Sequence, residues 1–209
     1  MKNTIRYGVL LGAGTTLLGV LSFWGCGGGS GNNNGSGLPG GAPTRAQVLR
    51  GRYLVTTVGG CSDCHGGGGS PDNPHWLSGY SSDPVAGGQR FDLGPFNSLR
   101  TFSANLTSDK TTGIGNWTSQ QIFNAFRLGK DPAGKYLAPP MPWPDFRNMT
   151  DADTWAMVAY LQSLKPATNA VPASEGPGDG PDGKPDWSSA YASLAPLPAY
   201  PAATENNVP

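Results

Sequence analysis

Residues Gly59 to Gly69 read GGCSDCHGGGG: two cysteines three positions apart, a histidine directly after the second, and glycine on both sides. No other stretch constrains the chain so tightly, because each chemistry that uses such a group dictates the surroundings it needs. Three compete for it: a zinc clamp, a dithiol/disulfide switch and a covalently held haem. A structural zinc site takes four ligands, and beyond Cys61, Cys64 and His65 the chain offers only His75 and Cys26, with no second cysteine pair. A thioredoxin-like pair belongs at a strand-to-helix junction in an alternating strand and helix pattern, which the sequence does not show. A haem needs two thiols for its vinyl groups and an imidazole beneath its iron, and CSDCH supplies all three in order.

The haem reading calls for a second axial ligand. In YLAPPMPWPDF, Met141 stands among Pro139, Pro140, Pro142 and Pro144, a backbone with few free torsions and few amides to satisfy. A methionine there is poor core filler, and a soft, neutral thioether in a loop with little entropy to lose suits ferrous iron. Each competitor has a readier structural role. Met149 precedes a helix cap, Met157 sits in an apolar helix, and His75 in SPDNPHWLSG reads as an exposed loop residue beside Trp76. Ligation through His75 or through Met149 and an open sixth position stay as alternatives.

Three helices announce themselves by a threonine followed three residues later by a side chain that can close a capping box. Thr44 with Gln47 opens a segment carrying Val48, Leu49, Tyr53, Leu54, Val55 and Val58, stopped by Gly59 and Gly60. Thr118 with Gln121 opens a short amphipathic one that ends at Gly129. Thr150 with Asp153, the poorer box, opens the most apolar helix, which Pro166 forbids from continuing. Between the first two lie some fifty residues rich in glycine, serine, proline and asparagine, with no alternation that predicts a sheet, and a loop of that length needs something to wrap around. From Ala167 the composition turns to proline, alanine and glycine without period, which reads as a tail, although Trp187, Tyr191, Leu194 and Tyr200 are unusual in one and suit contact with the domain or a partner.

Lys2 and Arg6 precede an apolar run over Gly8 to Trp24, the pattern of an export signal over 1–25. Cys26 follows directly, and 26–43 is a glycine- and asparagine-rich tether, so the N-terminus resembles a bacterial lipoprotein acylated on Cys26, with an uncleaved membrane anchor as the alternative. Either places the rest within about 20 Å of a membrane surface, the root-mean-square reach of such a tether. Removing 1–25 deletes two of fourteen basic residues and none of fourteen acidic ones, leaving a mildly acidic chain with no basic stripe for a nucleic acid.

Four stretches carry a family resemblance: RGRYLVTTVGGCSDCH from Arg50, SANLTSDKTTGIGNWTSQQIFNAFRLGKD from Ser103, LAPPMPWPDF from Leu137, and MTDADTWAMVAYLQSLKP from Met149. In their order and spacing the chain resembles monohaem class I c-type cytochromes, in particular a module of the cytochrome subunit of membrane-bound alcohol and gluconate dehydrogenases. The resemblance implies an all-α fold over 44–166, with first and last helices crossing at one haem edge and 167–209 as a tail. It implies one covalently bound haem c on Cys61 and Cys64, axial ligation by His65 and Met141, and electron transfer between a redox donor and acceptor rather than catalysis. It also places Gly51 and Tyr53 against Trp155 and Tyr160, and Asn105 and Trp117 near the haem. Those subunits carry three such modules, whereas this chain has one haem motif. The expected setting is the periplasmic face of a bacterial membrane or the cell exterior. The alternatives are a haem enzyme or gas or peroxide sensor with an exchangeable sixth ligand, and a subunit docked in a larger oxidoreductase complex, through the tail. Phe91, Phe102, Ile122, Phe126 and Trp143 are candidates for burying the haem.

Overall fold

The computed structural model describes residues 41–93, 100–176 and 187–194. Helix α1 spans Arg45–Tyr53, and its capping box is formed: the Thr44 hydroxyl accepts from the Gln47 amide at 3.2 Å while the Gln47 side chain accepts from the Thr44 amide at 2.8 Å. The helix then widens into a π-helical turn, Leu54–Val58, before Gly59 and a left-handed Gly60 (φ +53°) redirect the chain into α2, Cys61–His65. Helix α3, Ser119–Arg127, opens with the reciprocal box of Thr118 and Gln121. Helix α4 is the single turn Trp143–Phe146, and α5 spans Asp151–Ser163. At α5 Thr150 accepts from the Asp153 amide without reciprocation, as the poorer third residue implied, because the Asp153 carboxylate is engaged elsewhere. It holds Arg50 of α1 through two oxygens at 2.8 and 3.0 Å.

Helix α5 is buried over the whole run Thr154–Leu161, the signature of a core helix. Helix α1 crosses it at Gly51, whose missing side chain lets the backbones touch: a Cβ there would lie 1.8 Å from the Ala156 carbonyl oxygen and 2.8 Å from the Tyr160 Cβ. Gly51 therefore meets the last helix as expected, while Tyr53 is half exposed beneath the Arg50 guanidinium. Phe123 of α3 stacks on Trp155 of α5 at 4.3 Å between centroids, and the Trp76 indole donates to the Tyr160 hydroxyl at 3.0 Å, pinning the long loop to α5.

Two features depart from the sequence reading. A small antiparallel ribbon is present, β1 (Arg90–Asp92) with β2 (Arg100–Phe102), pairing Phe91 with Thr101. The loop that Gly66 to Gly69 open, whose glycines read in sequence as the start of a pliant segment, is packed. Its Gly79 amide donates to the His65 carbonyl at 2.8 Å, the Gln89 amide to that of Cys64 at 2.8 Å, and the Leu77 amide to that of Gly66 at 3.0 Å. Gly66 (φ +87°) can only be glycine, since a Cβ would meet the Gly88 amide and the Ala86 carbonyl within 3 Å. Trp76 and Leu77 of this loop are core residues. The first part of the C-terminal stretch is tied to the domain as well, by Ala167, Thr168 and Asn169. No helix among the described residues is long and apolar enough to cross a membrane. The expected export signal and Cys26 lie outside the described residues.

Candidate functional site

Between α2, the ribbon, α3 and the proline loop lies a cavity of about 630 Å³. Helix α2 carries Cys61 and Cys64 one helical turn apart, so both residues line the cavity from one face. His65 follows, buried, and its Nδ1–H donates to the Ala104 carbonyl at 2.7 Å. A carbonyl can only accept, so this bond fixes the tautomer and leaves Nε2 with its lone pair free. Burial also pushes the imidazole's pKa down, only partly offset by that bond, which keeps the ring neutral, the form that binds a metal.

The thiols are set in the opposite way to a redox pair. Burial, reinforced by Cys64, pushes the Cys61 thiol up to about 12, and burial with the Asp63 carboxylate raises that of Cys64. Disulfide oxidoreductases lower a cysteine pKa to make a thiolate, the reverse of what this setting does to both cysteines. Among the described residues no group of three or more His, Cys, Asp or Glu comes together in an arrangement that could hold a metal ion.

Across the cavity the proline loop presents Met141, half-buried, along with Leu137 to Pro140 and Pro142. The loop is held from both sides: the Leu137 amide donates to the Gly129 carbonyl at 2.7 Å, and the buried Thr101 hydroxyl of β2 donates to the Pro139 carbonyl at 2.8 Å. Met157 is fully buried in α5, and neither it nor Met149 nor His75 lines the cavity. Phe91, Phe102, Ile122 and Phe126 do, as do Asn105 and Trp117. Trp143 does not, packing instead against Tyr136 and, edge-on at 4.9 Å, Tyr191. Its signal, an aromatic beside the methionine loop, fits equally well a side chain turned away from the cavity. The reading from sequence missed Thr101 and the cavity-lining residues between 170 and 174, which have no periodic or motif signal.

The volume falls in the ~300–1,000 Å³ range of cofactor clefts, the wall is mostly apolar, and its few polar groups include two thiols, a neutral imidazole of fixed tautomer and a thioether. That set fits a covalently tethered haem. A helical domain wrapped round such a cavity is a c-type electron-transfer module. The chain belongs to the Cytochrome c family, whose profile matches residues 48–165. The class I fold expected from sequence is thereby borne out, and membership of the family implies covalently bound haem c and electron transfer.

Among curated proteins the chain is similar to a subunit of the nicotinate dehydrogenase of Pseudomonas putida, 37% identical over 135 residues, which is 65% of this chain and 10% of that protein. It is 31% identical over 134 residues to the fructose dehydrogenase cytochrome subunit of Gluconobacter japonicus, covering 64% of this chain and 24% of that protein. The gluconate 2-dehydrogenase cytochrome c subunit of Pantoea cypripedii is 33% identical over 133 residues, 63% of this chain and 26% of that protein. The chain thus spans a tenth to about a quarter of the length of these relatives.

Proposed function

We propose that the chain is a single-haem electron carrier, tethered by a lipid on Cys26 at the periplasmic face of a bacterial membrane or on the cell exterior, that passes electrons between redox protein partners. Cys61 and Cys64 would attach the haem, and His65 Nε2 and the Met141 sulfur would ligate its iron. The observation that carries this reading is the convergence of α2 and the proline loop on one apolar cavity, with the His65 tautomer already set by Ala104. Bound there, the haem supplies a one-electron couple. The chain's own contribution is to hold the two ligands in place through Ala104 and Thr101, and to exclude water with Phe91, Phe102, Ile122 and Phe126. Exclusion of water and thioether ligation both disfavour the more charged ferric state.

The optical spectrum of the oxidised, haem-loaded chain tests the assignment. Met141→Ala abolishes the methionine-to-iron charge-transfer band and opens the iron to cyanide at moderate concentration. A wild type without that band, or a band that survives in Met141→Ala, refutes Met141 as ligand and favours the exchangeable-site alternative. A second reading, a permanent place in a larger oxidoreductase complex, draws on relatives whose names make them dehydrogenase subunits. Elution of the native protein from its membrane as a stable multi-subunit assembly supports it, and release as a free cytochrome excludes it.

A further inference from the structure

The matched module ends at residue 165, yet Ala170, Val171, Pro172 and Ser174 line the same cavity as Cys61, His65 and Met141. This short run is strung between two anchors. At one end the Asn169 side-chain amide spends both of its hydrogens on backbone carbonyls of the packed loop, Ser78 at 2.8 Å and Tyr80 at 2.9 Å. Its main-chain amide donates to the Thr112 hydroxyl at 3.0 Å. The two residues before it are tied to the same loop region: the Ala167 carbonyl accepts from Asn105 at 2.8 Å, and the Thr168 hydroxyl donates to the Asp109 carboxylate at 2.9 Å. Asn105 is thus a holder of this segment, its two amide hydrogens shared between Ala167 and Thr112. At the other end the Glu175 amide donates to the Arg100 carbonyl of β2 at 2.7 Å, and their side chains pair at 3.8 Å.

A solvated linker has no use for a buried asparagine that holds its first residues, nor for a doubly satisfied amide at its entry. We propose that residues 170–174 form a wall of the haem pocket supplied by the chain's own extension, clamped by Asn169 and Glu175, that limits how much of the haem water and small redox reagents reach. The inference rests on the haem reading above. Val171 and Pro172 add apolar surface where open solvent would stabilise the ferric state, and an open strap therefore lowers the midpoint potential.

Two full-length, haem-loaded variants test it. Asn169→Ala removes two side-chain hydrogen bonds from the clamp, so hydrogen exchange at the main-chain amides of residue 169 and Glu175, bonded to the Thr112 hydroxyl and the Arg100 carbonyl, rises roughly 5- to 30-fold. Val171→Gly with Pro172→Gly keeps both anchors and thins the wall; the rate constant for reduction by a photogenerated neutral flavin semiquinone rises and the midpoint potential falls. Exchange unchanged in the first variant shows that Asn169 is no clamp. A reduction rate and potential equal to wild type in the second, with haem attached, show that 170–174 is no wall. Either result overturns the inference while leaving the haem assignment intact. A wild-type chain matured in a cytochrome c-assembling host without haem-shifted mass overturns the haem reading itself, and the strap with it.

Discussion

Gly51→Ala probes the contact on which the helical frame stands. The added Cβ would sit 1.8 Å from the Ala156 carbonyl oxygen, and an unstrained Cβ contact begins near 3.4 Å, so the helices must part by about 1.6 Å along that line. No side-chain rotation can supply this, since the obstructing atom is backbone inside the buried run of α5. Overpacking of a well-packed core costs about 1–3 kcal/mol, and a backbone obstruction places this substitution at the upper end, about 3 kcal/mol. For a domain of this size each kcal/mol moves Tm by about 4 °C, so a fall of about 12 °C is expected. Separation of α1 from α5 also stretches the Arg50 to Asp153 pair and loosens the frame beside Cys61. The assay is thermal denaturation of the oxidised, haem-loaded protein followed by far-ultraviolet circular dichroism, with Gly41→Ala, where a Cβ meets nothing within 4 Å, as control. A Gly51→Ala protein that melts within about 2 °C of wild type refutes the close crossing, because no relaxation short of separating the helices removes the clash.

Tyr160→Phe leaves the buried Trp76 indole N–H without its acceptor and costs about 1–3 kcal/mol, whereas Trp76→Phe with Tyr160→Phe costs less than the two single changes added together; urea unfolding of the four proteins closes this cycle. The Asp109 carboxyl is held down to about 2, first by the Thr112 amide, then by the Thr112 and Thr168 hydroxyls and the Thr111 amide. A depressed carboxylate contributes stability that is complete above its unfolded value near 3.8 and is lost as pH falls through about 2. Asp109→Asn is therefore less stable than wild type at neutral pH, with the gap closing between about pH 4 and pH 2. A gap that stays constant over that range contradicts the assignment.

The helices were legible because their start signals are local. A threonine and a glutamine three residues on satisfy each other's amides whatever the rest of the chain does, and Thr44 and Thr118 do so in the folded protein. The place of Met141 at the cavity was legible because four prolines leave a methionine little reason to be there other than its sulfur. The ribbon was not, since three-residue strands have too few positions to show alternation, and β2 is held by tertiary contacts that no window reveals. The packing of the loop after His65 was hidden for a related reason. Glycines such as Gly66 and Gly79 read as freedom in a sequence, but here they are required by close approach, Gly79 standing within 3 Å of the 103–105 backbone for any added Cβ. Asn169 carried no signal at all, as an asparagine in a proline- and alanine-rich stretch is equally at home in solvent.

The proposed ligands and haem-attaching cysteines sit in segments with strong local grammar: CSDCH on a helix and a methionine in a proline loop. The groups that position them and decide their exposure to water sit in segments with none. Ala104, which sets the His65 tautomer, belongs to a coil; Thr101, which holds the Met141 loop, belongs to a three-residue strand; residues 170–174 follow α5. A haem of given ligation takes its potential from the hydrogen bonds made to its ligands and from burial, so it is the non-periodic parts that tune this carrier. Relatives sharing CSDCH and the methionine loop can therefore differ in potential through the strap alone, and exchanging residues 167–176 between two of them transfers part of that difference. A potential that follows the ligand loop and ignores the exchanged strap places the tuning in Thr101 and its ribbon instead.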